Sequence, residues 1–222
     1  MNFSAVLFDL DGTLHDRAAT VRRYLAGHVR RFDLPAGYAE RWTVLDDLGY
    51  RSKPEVYRRL VQELALTHSP EVLLGDWYTH GKLTPGLMPH AHETLSELRR
   101  RGLRLGLVTN GRSEGQRSTL AGLNLQDAFD TVLISEELNI GKPDPRIYTR
   151  ALEQLGVQAA QTLFVGDSPT NDVLGPQQAG MKAALFPGGH ALPAHIRPEY
   201  PLQDLRGVLG TVGDGQIVNQ RR

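Results

Sequence analysis

Five short, mostly apolar runs recur along the chain, at positions 5–8, 103–108, 131–134, 162–165 and 183–186. Runs of this length that do not alternate with polar residues are typical of strands buried on both faces of a sheet. Between the later runs, segments at 91–101, 113–120, 146–155 and 172–179 have helical spacing, and several stop near a glycine suited to a C-cap. This alternation predicts an α/β fold, a doubly wound parallel sheet with helices on both faces.

The region from 15 to 84 breaks this alternation. It contains no convincing strand, but it has helix-like segments at 18–32 and 54–66, and Thr84-Pro85-Gly86 and Pro89 interrupt regular structure at its end. We therefore expect an all-helical insertion at 15–84, seated as a lid above the carboxyl edge of the sheet, and a catalytic core made of 1–14 and 85–222. The Gly-rich tail at 207–222 is expected to be a short last strand or a loose end.

Composition narrows the function classes. With 25 basic and 25 acidic side chains, the chain has no net charge to attract nucleic acid, so no nucleic-acid partner is expected. Asp9 and Asp11 cut the first apolar run, and no basic residue precedes it, which argues against a signal peptide, a membrane span and a membrane partner. The absence of cysteine fits a reducing compartment. We expect a cytoplasmic protein, either a monomer or a homodimer.

Reactive side chains follow three of the five runs. Asp9 and Asp11 follow the first, Thr109 follows the second, and Asp167 and Asp172 follow the fourth. Because ligands bind beyond the carboxyl ends of parallel strands, we expect the four aspartates to converge in one crevice. Their mutual repulsion requires a cation, and Mg²⁺ suits a site with a few carboxylates, waters and a substrate phosphate. The lack of cysteine and of ligand-like histidine spacing disfavours zinc.

A phosphate bound at such a site needs a nucleophile and an acid. Asp9 can attack phosphorus to form an aspartyl phosphate, which divides one difficult step into two easier ones. Asp11 can protonate the leaving alkoxide and afterwards deprotonate the hydrolytic water. The Thr109 hydroxyl and the backbone N–H groups around Asn110 and Gly111 are expected to hold the phosphoryl oxygens, and Lys142 is expected to add positive charge.

These residues carry a likeness that covers nearly the whole chain. The sequence resembles the haloacid dehalogenase superfamily, in its phosphatase branch with a helical cap inserted after the first strand. The matching motifs are Asp9-Leu10-Asp11-Gly12-Thr13, Thr109-Asn110, Lys142 and Gly166-Asp167 through Asp172. The resemblance implies a Rossmann-like core, a Mg²⁺ cofactor, a cap that closes over substrate, and a small phosphorylated metabolite as substrate.

The same resemblance implies residue roles. Asp9 would be the nucleophile and a metal ligand, Asp11 the acid/base and a ligand through its backbone carbonyl, and Asp167 a ligand. Asp172 would be a further acidic residue that orients the metal site or the lysine of the third motif. Pro176 departs from the pattern, and it predicts an irregular turn after Asp172 because proline is tolerated only near a helix start.

Simpler interpretations stand beside these roles. Asp167 and Asp172 could be helix N-caps, Asn110-Gly111 a tight turn, and Lys142 a solvated loop residue. A phosphomutase and a catalytically inactive binding relative are alternatives for the whole protein. A carbon–halogen hydrolase is disfavoured because a departing halide needs no acid such as Asp11. Loose candidates for substrate selection are His15, Arg17, Arg22, Arg51, Lys53 and Arg58.

Overall fold

The computed structural model describes residues 2–81, 84–186, 188 and 190–213. The chain separates into two compact units, one made of Met1–Asp16 and Leu87–Arg222 and the other of Arg17–Gly86. The first unit contains the sheet, and the second is helical wherever its described residues form regular structure. No helix in the described part of the chain is long and apolar enough to cross a bilayer.

Six strands form one parallel sheet in the first unit. They are β1 Ala5–Phe8, β2 Arg104–Thr109, β3 Thr131–Ile134, β4 Thr162–Gly166, β5 Lys182–Leu185 and β6 Tyr200–Pro201. Their order is β3-β2-β1-β4-β5-β6, so the chain winds outward from the central β1 in both directions. The predicted α/β fold and all five predicted strands are confirmed. The sequence pattern does not predict β6, because two residues, one of them proline, form no apolar run.

Four α-helices make up the core of the second unit: α1 Arg17–Phe32, α2 Tyr38–Asp46, α3 Lys53–Glu63 and α4 Pro70–His80. The pattern predicts α1 and α3 but misses the other two. Helix α2 follows Gly37, which offers no side chain to cap it. Helix α4 does begin with a sequence signal for a helix start. Ser69 is the N-cap and accepts a hydrogen bond from the Val72 N–H, and Pro70 occupies the first turn.

A buried polar network lies inside this helical unit. His28 Nδ1 lies 2.7 Å from an Asp76 carboxylate oxygen, and His28 Nε2 lies 3.1 Å from the Tyr38 hydroxyl. Arg31 donates two hydrogen bonds to the Asp76 carboxylate, at 2.8 and 2.6 Å. Both tryptophans of the chain, Trp42 and Trp77, pack in the apolar core of the same unit. The network therefore supplies partners for charges that would otherwise be costly to bury.

The helices of the first unit cover both faces of the sheet: α5 Ala91–Arg100, α6 Ser113–Gly122, α7 Ser135–Leu138, α8 Pro145–Leu155, α9 Gly175–Gln178 and α10 Gly207–Val212. Along β1, Val6 and Phe8 join one apolar cluster, and Ala5 and Leu7 join another, as the alternation of a strand requires. Helix α10 corrects the expectation of a last strand or loose end for the tail. The part of that tail after Gly213 lies outside the described residues.

The segment after β4 differs from the predicted helix at 172–179. A π-helical turn, Pro169–Leu174, comes first, and the short α9 follows it. The N-cap is Ser168, whose hydroxyl accepts a hydrogen bond from the Asn171 N–H at 3.2 Å, so neither Asp167 nor Asp172 is the cap. Pro176 has no N–H to give to the carbonyl four residues earlier, which accounts for the irregular turn that the sequence predicts.

Candidate active site

Three adjacent strands bring the candidate residues to one edge of the sheet. The central strand β1 pairs with β2 on one side and with β4 on the other, and Phe8 lies level with Leu107 and Val165. Asp9 follows Phe8 directly, Thr109 ends β2, and Asp167 follows β4. Because all three strands run in the same direction, these side chains meet beyond their carboxyl ends.

A buried lysine joins two of the aspartates. Lys142 Nζ donates to Asp9 Oδ1 and to Asp172 Oδ1, both at 2.7 Å. All three side chains are buried, and an isolated charge there would be strongly disfavoured. Burial alone would lower the pKa of Lys142, but Asp172 and Asp9 outweigh it and raise that pKa above its ordinary value. Lys142 is therefore a buried cation, and the interpretation as a solvated loop residue is wrong.

Asp167 completes a group of three carboxylates. One carboxylate oxygen from each of Asp9, Asp167 and Asp172 lies within 4.8 Å of the others. Gly12 permits this approach, since a Cβ at that position would lie 2.3 Å from Asp167 Oδ2. On the far side, Asp172 Oδ2 accepts hydrogen bonds from the backbone N–H groups of Asp167 and Ser168, at 3.1 and 2.9 Å. Asp172 thus links the lysine to the loop that carries Asp167.

The charge balance of this group is negative. Burial, followed by the neighbouring Asp172 and Asp167 carboxylates, raises the pKa of Asp9 well above its ordinary value, although Lys142 acts in the opposite direction. Burial and the Asp172 charge raise the pKa of Asp167 to about 7. The Lys142 cation thus does not offset the burial and the carboxylate repulsion that raise the pKa of Asp9 and of Asp167. A hard divalent cation with oxygen ligands fits this donor set, whereas the set offers no nitrogen or sulfur to a softer metal.

Asp11 stands beside this group on a tight turn. The Leu10 carbonyl accepts hydrogen bonds from the N–H groups of Leu14 and His15, at 3.0 and 2.8 Å, which returns the chain toward Asp11. His15 Nδ1 lies 2.6 Å from Asp11 Oδ1. Gln116 Nε2 donates to Asp11 Oδ2 at 3.0 Å and to Thr109 Oγ1 at 2.7 Å. The structure thus brings Asp11 and Thr109 together through one glutamine.

Neither partner of Asp11 is predicted from the sequence in this role. His15 is predicted only as a loose candidate for substrate selection, and Gln116 is not predicted as a site residue. The available signal for Gln116 was weak. Gln116, Thr119 and Leu120 share one buried face of α6, so a glutamine stands there on the inward side of an amphipathic helix.

The side chain of Asn110 holds the backbone of Lys142. Its side-chain amide donates to the Lys142 carbonyl and accepts from the Lys142 N–H, both at 2.8 Å. The Gly111 N–H donates to Ser135 Oγ at 2.9 Å. Asn110 therefore fixes the backbone that presents Lys142.

Two of the basic candidates in the helical unit are already engaged there. Arg17 and Lys53 both pair with the buried Asp46, at 2.7 and 2.5 Å. Lys53 Nζ also lies over the rings of Trp42 and Trp77, 5.7 and 5.5 Å from their centroids. These contacts give the two cations a packing role within their own unit.

Comparison with known proteins agrees with this geometry. The model of the haloacid dehalogenase-like hydrolase family matches residues 6–186. The glyceraldehyde 3-phosphate phosphatase of Pyrococcus abyssi is 33% identical over 193 residues, 83% of this chain and 81% of that protein. The phosphoserine phosphatase of Thermus thermophilus is 45% identical over 115 residues, 52% of this chain but only 44% of that protein.

A solved structure shows the same fold along nearly the whole chain. The HAD-hydrolase YfnB of Bacillus subtilis superposes with a TM-score of 0.83 at 23% identity, covering 96% of this chain and 99% of that one. This likeness concerns the fold alone, whereas the sequence matches establish the family. The chain belongs to the haloacid dehalogenase-like hydrolase family, on the phosphatase side of it.

Proposed function

We propose that this enzyme hydrolyses a small phosphorylated metabolite, with Mg²⁺ as cofactor and Asp9 as the group that carries the phosphoryl. The observation that carries the proposal is the buried group in which Lys142 joins Asp9 and Asp172 beside the Asp167 carboxylate. The names of the relatives, phosphatases of phosphoserine and of glyceraldehyde 3-phosphate, support a small phosphate ester as substrate.

In the proposed reaction Asp9 attacks phosphorus. Lys142 holds Asp9 Oδ1, and we assign the attack to Oδ2. The bond from Asp9 to phosphorus forms as the ester P–O bond breaks, and the proton of Asp11 goes to the departing alkoxide. A water oxygen then bonds to the phosphorus as the bond from Asp9 Oδ2 to phosphorus breaks, and Asp11 takes the proton of that water. Inorganic phosphate and the free Asp9 carboxylate result.

We propose that the side chains of Asp9 and Asp167 and the backbone carbonyl of Asp11 hold the Mg²⁺. When bound, this ion supplies the positive charge that the three carboxylates lack and that the phosphoryl oxygens need. Asp172 is the fourth candidate ligand. Both of its oxygens already accept hydrogen bonds, from Lys142 and from the N–H groups of the Asp167 loop. These bonds favour the orienting role for Asp172 over direct ligation.

Thr109 and Lys142 are proposed to bind the phosphoryl oxygens. The Thr109 hydroxyl accepts from Gln116, so its own proton is directed to another acceptor, for which a phosphoryl oxygen is suited. Lys142 has three donors, of which two are used by Asp9 and Asp172. Asn110 is proposed to act through the backbone of Lys142. A part for the backbone N–H groups around Asn110 and Gly111 in phosphoryl binding stays a prediction.

The helical unit, Arg17–Gly86, is proposed to be the cap domain of this enzyme. Closure of such a unit excludes water while the phosphoryl group is transferred and commits the substrate to reaction. The cytoplasmic location and the monomeric or homodimeric state stay predictions.

Phosphate release tests the proposal directly. We expect release from p-nitrophenyl phosphate and from a panel that includes phosphoserine and glyceraldehyde 3-phosphate, with Mg²⁺ but not with a chelator. Asp9→Asn removes the nucleophile and should lower kcat at least about a thousandfold. Asp127→Asn, an exposed aspartate of the same unit, serves as the control and should keep full activity.

The products distinguish the mechanism from its alternatives. With an added alcohol as acceptor, a shared aspartyl phosphate predicts one ratio of phosphate to phosphorylated alcohol for every substrate, whatever its leaving group. Normal turnover by Asp9→Asn would refute the mechanism. A phosphorylated isomer without phosphate would identify a phosphomutase, and no Mg²⁺ binding and no turnover would identify an inactive relative.

A further inference from the structure

The carboxylate of Asp11 is held at both of its oxygens by side chains from two separate parts of the first unit. His15, four residues later on the same turn, reaches Oδ1 at 2.6 Å. Gln116, which lies on α6 and 105 residues later in the chain, reaches Oδ2 at 3.0 Å. Two contacts on opposite oxygens fix both the position of a carboxyl group and the rotation of its plane.

Burial shows that this arrangement is not needed to satisfy Asp11. The Asp11 side chain is 24% exposed, so water can reach it, whereas the His15 side chain is 2% exposed and Gln116 is 1% exposed. Placing a polar imidazole and a polar amide in the interior has a cost in free energy unless both are well bonded. The buried His15 imidazole and Gln116 amide thus hold an Asp11 carboxylate that water could solvate without them.

We propose that His15 and Gln116 are positioning residues for the acid/base Asp11. They keep its carboxyl group in the one orientation from which it reaches the leaving oxygen of the ester. This inference rests on the proposed function, because it presumes that Asp11 transfers the proton. His15 and Gln116 both lie outside the four sequence motifs that carry the family resemblance.

Gln116 has a second task in this arrangement. The same Nε2 that contacts Asp11 also donates to Thr109 Oγ1 at 2.7 Å. Thr109 is proposed to bind the phosphoryl group, so one buried amide sets the distance between the acid and the phosphoryl-binding hydroxyl. A shift of about 1 Å between such groups can reduce a rate about a hundredfold.

Two substrates with different leaving groups distinguish a loss of acid positioning from a general loss of activity. An alkoxide is a poor leaving group and needs the proton of Asp11, whereas p-nitrophenolate leaves readily without it. We therefore compare kcat/KM for glycerol phosphate and for p-nitrophenyl phosphate with the full-length, Mg²⁺-loaded enzyme. This ratio contains only the steps up to departure of the leaving group, whereas kcat also contains the hydrolysis of the aspartyl phosphate, in which Asp11 acts as base for both esters. His15→Phe should lower kcat/KM for glycerol phosphate about 10- to 100-fold and kcat/KM for the aryl ester less than about threefold.

Companion variants make the comparison sharper. His15→Asn keeps a donor near the position of Nδ1 and should recover most of the lost rate. Gln116→Met has a similar volume without donors, and it should give the same leaving-group-dependent loss plus a smaller loss common to both esters through Thr109. Thr119→Val removes another buried polar group of α6, whose hydroxyl donates to the Gly115 carbonyl of the same helix at 2.9 Å, and should leave the ratio of the two rates unchanged.

A double-mutant cycle decides the outcome. If His15 acts only through Asp11, His15→Phe should have no further effect on either ester in an Asp11→Asn background. Equal losses on both esters, or a full additional loss in that background, would overturn the inference. If thermal unfolding shows that His15→Phe does not fold, the cycle is run with Gln116→Met, for which only the smaller loss common to both esters should remain in the Asp11→Asn background. If the wild-type enzyme hydrolyses neither of these esters and no ester of the panel used to test the proposed function, that function is refuted instead.

Discussion

Gly12 shows how strongly the site depends on a position without a side chain. Its φ of 88° lies in the left-handed region that favours glycine, and a Cβ there would lie 2.3 Å from Asp167 Oδ2. The residue thus turns the chain after Asp11 and also admits the carboxylate from the neighbouring strand. Both requirements must be met for the three carboxylates to meet.

Gly12→Ala should therefore remove activity, not only stability. We expect a loss in kcat of at least about a hundredfold and a weaker Mg²⁺ affinity, because Asp167 must move. Gly102→Ala is the matched control, since Gly102 has a similar φ of 79° but no heavy atom lies within 4 Å of the place that its Cβ would take. Gly102→Ala should lose about 1 kcal/mol of unfolding free energy through its backbone conformation, and Gly12→Ala at least as much, because its Cβ also displaces Asp167. Phosphate release, calorimetric Mg²⁺ titration and urea unfolding measure the three quantities, and equal activity of the two variants would contradict this account.

At the scale of elements, the loop between α7 and α8 depends on the end of β2. Lys142 belongs to that loop, and the amide of Asn110 bonds both to its N–H and to its carbonyl, 32 residues away in sequence. The lysine itself reaches Asp9 and Asp172 from this fixed backbone. The strand end thus positions a cation that the loop alone would not hold in place.

Asn110→Ala should lower kcat about 10- to 100-fold because the Lys142 backbone loses both bonds. Since Asn110 is exposed, we expect the unfolding free energy to change by only about 1 kcal/mol. Asn110→Asp keeps the acceptor for the Lys142 N–H but loses the donor to the Lys142 carbonyl. The activity of this variant should lie between that of wild type and that of Asn110→Ala. Steady-state kinetics with paired urea unfolding curves test this order; an Asn110→Ala enzyme as active as wild type would exclude the positioning role.

At the scale of the whole molecule, the helical unit has its own electrostatic core. Burial holds the pKa of His28 below its ordinary value of 6.5. Burial acts against ionisation of Asp76, but hydrogen bonds from Arg31 and His28 outweigh it and lower the pKa of that carboxyl to about 2. In both cases the folded chain binds a proton less readily than the unfolded chain, so acid favours unfolding.

The stability of this unit should fall in two stages as the pH decreases. The His28 contribution is lost as the pH falls below 6.5, and the Asp76 contribution, on the order of 2 kcal/mol, is lost as the pH falls from about 4 toward 2. Urea unfolding followed by tryptophan fluorescence reports on this unit, because both tryptophans lie in it. Asp76→Asn should be less stable at pH 7 and should lose less stability than wild type in the second stage. Glu71→Gln, an exposed change on the same helix, should follow wild type, and a second stage in Asp76→Asn as large as that of wild type would contradict the assignment.

Local sequence patterns are sufficient to specify the α/β fold and the chemistry at the strand ends. Continuous apolar runs separated by helical spacing lead to a parallel sheet, and in a parallel sheet the residues that follow each strand share one edge. Asp9, Thr109 and Asp167 therefore come together for a reason that local patterns contain. The irregular turn near Pro176 is predictable for the same reason, because the missing proline N–H removes a hydrogen bond within the same short segment.

The side chains that hold the reactive ones are set by long-range packing instead. The bonds of Gln116 to Asp11, of Asn110 to Lys142 and of Lys142 to Asp172 join residues 105, 32 and 30 positions apart. Such pairs depend on strand order, register and the inward face of each helix, which no local pattern specifies. The short strand β6 is likewise not predictable from local sequence, because its two residues are a strand only through their pairing with β5.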